Sequence, residues 1–132
     1  MFTLSRKSKE RLSTCHPDLQ RVVNILITIA DVTVLCGHRG QAEQDEAYKN
    51  GKSDLQWPKG KHNSIPSMAV DIAPFPLDWS DTFRFTYIAG MVVGIGAALG
   101  LNIRWGGDWD SDEDLKDNIS DDLPHFELAG KL

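Results

Sequence analysis

Apolar positions change period several times along this chain, and the changes mark out its elements. Leu19, Val22, Val23, Leu26 and Ile29 recur at three- and four-residue steps, which predicts a helix from Pro17, suited to a first turn, to about Ala30. Thr33 to Cys36 is a short run of strand type, interrupted by Gly37-His38-Arg39-Gly40. Gln41 to Lys49 predicts a second, more polar helix, and residues 50–66 read as loop, punctuated by Gly51, Pro58, Gly60 and Pro66. Met68 to Ala73 is the next strand, ended by Pro74 and Pro76. Asp71 is out of place in it, a carboxylate between Val70 and Ile72. Ser80 or Asp81 is placed to cap a long helix, after which Ile103 to Trp105 and His125 to Leu128 predict two short strands. The acidic stretch from Gly106 to Asp122 reads as an exposed loop, with a mobile lid as its functional alternative. Mixed helices and strands, with no repeat, no linker and no GxGxxG fingerprint, predict one α+β domain over residues 1–132.

Composition narrows the partners. A chain of 132 residues is long enough for one real core, and 41% hydrophobic with 25% charged residues predicts an ordered fold. The formal charge of -5 gives no reason to expect nucleic acid. Phe85 to Leu101 is uncharged over 17 residues but contains Gly90, Gly94, Gly96 and Gly100. A membrane span needs about 20 residues, so a buried helix is expected and no stable membrane insertion. The N-terminus is positively charged without an apolar stretch behind it, unlike a secretory signal. Cys15 and Cys36 make no disulfide framework and are expected as free thiols.

The chemistry gathers on a few residues. His62, Asp71 and His125 supply two imidazoles and one carboxylate, a donor set suited to a hydrolytic zinc site with three protein ligands and an open position. Each alone has a plainer reading, a packed histidine or a turn-holding aspartate; together, in short segments at strand ends, they predict a metal centre. Asp122, three residues before His125, is placed to act as the general acid and base on the attacking water, with Asp121 as its competitor. Arg39 could hold a substrate carboxylate through two hydrogen bonds, a surface salt bridge being the alternative. His38 beside it could bind substrate, donate to the oxyanion or act as a fourth ligand. Asp108, within Trp105-Gly106-Gly107-Asp108-Trp109, could orient a ligand histidine from behind. Glu127, two positions after His125, shares its strand face and is an outside candidate for orienting the site. Trp105 and Trp109 line a groove or fill the core. Asp71 with Asp122 also permits a glycosidase, which ranks lower because it leaves both histidines unused.

Several of these strings carry a resemblance. Gly37-His38-Arg39 with Gln44, Lys61-His62, Ala69-Val70-Asp71, Trp105-Gly106-Gly107-Asp108-Trp109 and Asp122-Leu123-Pro124-His125-Phe126-Glu127 together resemble the VanY-like zinc peptidases. Nearest are the phage endolysins that act as L-alanyl-D-glutamate endopeptidases, and the likeness runs over roughly residues 5–128. The usual first metal motif reads SxHxxGxAxD; here Gly60 stands at the serine position and two extra residues precede Ala69, a loop variation. The resemblance implies zinc on His62, Asp71 and His125, Asp122 as the catalytic acid and base, and Arg39 on the substrate. It implies the small α+β fold of the D-Ala-D-Ala peptidases and the hedgehog signalling domain, an antiparallel sheet packed with helices. The implied substrate is the peptidoglycan stem peptide, cut between L-alanine and D-glutamate. A monomer without a separate wall-binding domain is expected, held in the host cytoplasm until a membrane-permeabilising phage partner opens the way to the periplasm and wall. A D-Ala-D-Ala carboxypeptidase of the same family would release free D-alanine instead, and a noncatalytic peptidoglycan-binding module would release nothing.

Overall fold

The computed structural model describes residues 1–112 and 122–131. In chain order the elements are α1 (Arg6–Leu12), α2 (Pro17–Leu26), β1 (Val32–Cys36), α3 (Gln41–Lys49), a 3-10 turn (Lys61–Asn63), β2 (Ala69–Pro74), α4 (Thr82–Ala98), β3 (Leu101–Gly106) and β4 (Asp122–Lys131). The strands form one sheet in the order β1-β2-β4-β3, and every neighbouring pair is antiparallel. The α+β expectation therefore holds.

Strand alternation gives the sheet two different faces. Val70 and Ile72 of β2, Val34 of β1 and Phe126 of β4 point to one face and are buried with Val22, Val23 and Leu26 of α2 and Ile88 and Val92 of α4. Each such side chain contributes about 1.5–3 kcal/mol by leaving water. That face fixes the other. Asp71 lies between Val70 and Ile72, so its carboxylate is turned away from the core. In register beside it stand Cys36 on β1 and His125 on β4, while Glu127 pairs with Ala69 and Arg104 of β3 pairs with Glu127.

A bulge in β1 matters here. Val34 pairs with Ile72 on the core face, and by strict alternation Cys36 would share that face. The register shifts between Val34 and Cys36, so Cys36 is re-aimed to lie opposite Asp71. The free edge of β1 is covered by α1: Ser8 Oγ accepts from the Val34 amide at 2.9 Å, and Arg11 donates to the Val34 carbonyl at 3.0 Å.

The predicted helix to Ala30 stops at Leu26, because Thr28 Oγ1 donates to the Ile25 carbonyl at 2.6 Å and the chain turns, leaving Ile29 exposed. The helix over Gln41–Lys49 forms as expected, and Asp81 caps α4, its carboxylate accepting from the Arg84 amide at 3.2 Å. No helix among the described residues is long and apolar enough to cross a membrane. Residues 113–121, which hold Asp121 and most of the expected acidic lid, lie outside the described residues.

Candidate active site

Three segments bring the histidines and carboxylates together. The turn Lys61–Asn63 carries His62 and is pinned by the Arg39 amide, which donates to the His62 carbonyl at 2.8 Å. Gly37 passes so close to α1 that an added Cβ would stand 2.3 Å from the Arg11 carbonyl oxygen and from Thr14 Oγ1; only glycine fits. Its own carbonyl is thereby delivered to His62 Nδ1 at 2.7 Å.

That contact sets a tautomer. A carbonyl only accepts, so Nδ1 of His62 carries the proton, and in the neutral ring the lone pair is on Nε2, 3.0 Å from Asp71 Oδ1. His125 is arranged the other way round. Its Nε2 donates to Glu127 Oε1 at 2.8 Å, and its Nδ1 faces Asp71 Oδ1 at 3.4 Å and Asp122 Oδ2 at 3.9 Å. Glu127 is itself held by Arg104 at 2.7 Å. Both histidines are buried, and their rings meet edge to face with centroids 5.1 Å apart.

Two of the three separations among His62, Asp71 and His125 suit a divalent metal. Metal–ligand bonds of about 2.0–2.1 Å place tetrahedral donor atoms roughly 3.3 Å apart, close to the two separations from Asp71 Oδ1. The charge pattern agrees. Burial opposes an imidazolium at His62, but the hydrogen bond to Asp71 and then the contact with Cys36 outweigh it and push the pKa up to about 10. His125 is likewise held up, at about 9, against burial by Asp71 and Glu127. Burial works to raise Asp71, and hydrogen bonds from His125 and His62 overcome it, keeping the carboxyl well below the usual range. Burial also opposes ionisation of Glu127, and His125 with Arg104 overcomes it, down to about 2. Asp122 differs: burial, then the nearby Asp71 charge, raise its pKa.

These residues line a cleft of about 640 Å³, together with Arg39, Trp79 and Trp109. The Trp109 ring lies 5.5 Å from that of His125, whereas Trp105 is buried, its indole N–H donating to the Leu123 carbonyl at 2.7 Å. Arg39 donates to Gln44 Oε1 at 3.1 Å and stands 3.9 Å from Asp71 Oδ2. Gln44 is fully buried: its carbonyl also accepts from Asn63, and its amide donates to Ser53 Oγ and the Leu55 carbonyl. It thus ties the arginine loop to the His62 turn.

His38 is not among the residues lining the cleft; its backbone amide donates to Thr14 Oγ1 at 2.8 Å. Asp108 groups with Asp110 and Asp112, while the Gly37 carbonyl and Glu127 hydrogen-bond the two histidines. Sequence reasoning missed Cys36. Its sulfur and one ligand atom each of His62 and Asp71 lie within 4.8 Å of one another, so Cys36, His62 and Asp71 form a possible metal-binding group. Arg104 and Trp79 were also missed; position in the sequence carries no sign of either role.

An antiparallel sheet with packed helices and a histidine–carboxylate cluster open on a cleft make a candidate hydrolytic centre. The family described as phage L-alanyl-D-glutamate peptidase matches residues 1–129, and the chain belongs to it. It is similar to the L-alanyl-D-glutamate peptidase of Escherichia phage T5, at 32% identity over 137 residues, covering 97% of this chain and 98% of that protein. Among solved structures it is similar to the L-Ala D-Glu endopeptidase ChiX of Serratia marcescens, with a TM-score of 0.74 and 27% identity over 96% of this chain and 90% of the other. The family and fold expected from the sequence are those found.

Proposed function

We propose that this protein is a zinc endopeptidase of bacterial peptidoglycan, hydrolysing the bond between L-alanine and D-glutamate in the stem peptide. His62, Asp71 and His125 hold the metal, Asp122 is the acid and base, and Arg39 binds a substrate carboxylate. The observation that carries this reading is the pair of buried histidines whose outer nitrogens are occupied by Gly37 and Glu127, so that their inner nitrogens both face Asp71 beside Asp122. Family membership and the similarity to two proteins named for that bond support it. The cleft lining mixes Arg39, Lys52, Lys59, Lys61 and Arg104 with Asp54, Asp71, Asp122 and Glu127, and Arg39 with the three lysines offers cations for an acidic peptide.

When bound, the metal supplies Lewis acidity and a water activated near neutral pH. The residues do the rest. Gly37 and Glu127 hold the imidazoles in the tautomers that leave lone pairs on the inner nitrogens. Asp122 takes a proton from the water that adds to the L-alanyl carbonyl and delivers it to the departing D-glutamate amine. Arg39, fixed by Gln44, holds a stem-peptide carboxylate so that the carbonyl sits over the site. In this reading the protein acts as a monomer and reaches the wall from the host cytoplasm once a membrane-permeabilising partner acts.

Mass spectrometry of purified Gram-negative peptidoglycan, digested with and without chelator and added zinc, tests the proposal. Metal-dependent fragments that end in L-alanine and begin with D-glutamate are expected. Free D-alanine as the product would make the protein a carboxypeptidase, and no product from the folded, zinc-loaded protein would remove the catalytic reading.

A further inference from the structure

Cys36 faces the site and has no part in the mechanism above. Its orientation is built, not incidental: the β1 bulge turns its side chain off the core face and sets it directly opposite Asp71. Asp71 lies on β2 between two in-register neighbours, Cys36 on one side and His125 on the other. His62 comes in above the strand and reaches Asp71 Oδ1 at 3.0 Å. Asp71 and His62 are therefore shared by two possible donor sets. One is completed by the His125 imidazole, the other by the Cys36 sulfur, which lies with its two partners inside a 4.8 Å cluster. Arg39 Nη2 stands 4.0 Å from the same sulfur, a positive charge beside the thiolate that coordination creates.

We propose that Cys36, His62 and Asp71 form a second donor set for the metal, which holds the ion on the β1 side of Asp71, away from Asp122. The inference rests on the metal-site reading above. Thiolate is the softest donor beside His62 and Asp71, so zinc and softer ions favour this set, while hard ions that prefer oxygen gain nothing from it. Binding there costs the thiol its proton, which passes to solvent, and the sulfur–metal bond replaces the sulfur–hydrogen bond. The set is a resting position: the ion is retained, but the Asp122 carboxylate lies on the other side, by His125.

Cobalt(II) titration of the metal-free full chain tests this, because thiolate–cobalt bonds give an intense near-ultraviolet charge-transfer band that nitrogen and oxygen donors lack. One equivalent of cobalt with that band is expected for the native chain. Cys36→Ser should bind cobalt without the band, and His125→Ala should keep it. In case the variants fold poorly, the native chain alone offers a second readout. Alkylation of Cys36 should slow roughly tenfold or more when metal is added, since a coordinated thiolate is no longer a free nucleophile. One equivalent of cobalt bound with no sulfur band overturns the proposal while leaving the His62–Asp71–His125 site standing. Failure of the native chain to bind cobalt at all overturns both.

Discussion

Gly106 offers a test of Asp122 that alters none of the proposed reacting side chains chemically. It is the last residue of β3 and pairs with Asp122 at the start of β4. A Cβ built on Gly106 would stand 2.1 Å from the Asp122 carbonyl oxygen, where ordinary contact begins at 3.4 Å. In Gly106→Ala the two backbones must therefore part by the difference, about 1.3 Å. Neither side is a flexible side-chain end, and the pair closes the β3–β4 ladder, so the movement falls on Asp122. Overpacking of this kind costs about 1–3 kcal/mol of stability. A displacement of about 1 Å at a proton-transferring group costs on the order of a hundredfold in rate. Initial rates on a defined stem-peptide substrate, with metal content measured alongside, should show kcat down about a hundredfold, KM little changed and one metal retained, because His62 and Asp71 lie on other elements and His125 stays in register with Asp71 of β2. A Gly106→Ala protein with native kcat and native Tm would refute the argument that this glycine positions the acid.

Further outcomes follow from the same geometry. Asp122→Asn should lower kcat by about 10²–10⁴-fold while the protein still takes up one metal in a chelator competition, and full turnover would sink its assignment as acid and base. Glu127→Gln should weaken metal binding by about 10–100-fold, since it removes the charge that fixes the His125 tautomer; unchanged affinity in the same competition would show that Glu127 serves stability alone. Zinc binding near pH 7 should release about two protons, because His62 and His125 hold theirs to about 10 and 9 in the metal-free protein. Apparent affinity should then rise about a hundredfold per pH unit up to about 9, and calorimetry in buffers of different ionisation enthalpy that finds no proton release would contradict the pairing with Asp71. The sign for the metal-free fold is the reverse: both raised values stabilise it fully below about 6.5 and are lost as pH climbs through about 9 to 10.

The helix over Gln41–Lys49 and the strand around Asp71 were readable because period and breakers agree there. Helix α1 was not: SRKSKERL presents almost no apolar stripe, and its buried Ser8 is there to bond the edge of β1. β4 spans Asp122–Lys131, longer than the His125–Leu128 strand predicted. The pairing of β3 with β4 jumps between Trp105–Phe126 and Gly106–Asp122, so Pro124 falls where the ladder is interrupted and its missing N–H is not needed. His62, Asp71, His125 and Asp122, which meet at the site, were legible as residue types in short segments. That Cys36 faces them was not, since a bulge leaves no mark in a pattern of apolar and polar positions.

Last in the chain among the described strands, β4 nonetheless sits inside the sheet, between β2 and β3. During synthesis the two flanking strands emerge first and cannot pair with each other in their final places. Until residues 122–131 arrive, β2 and β3 each show an open hydrogen-bonding edge to other chains, a window for aggregation that ends when β4 slots in. The same insertion brings Asp122, His125 and Glu127 to the sheet together, so the histidine–carboxylate cluster is assembled only when β4 docks.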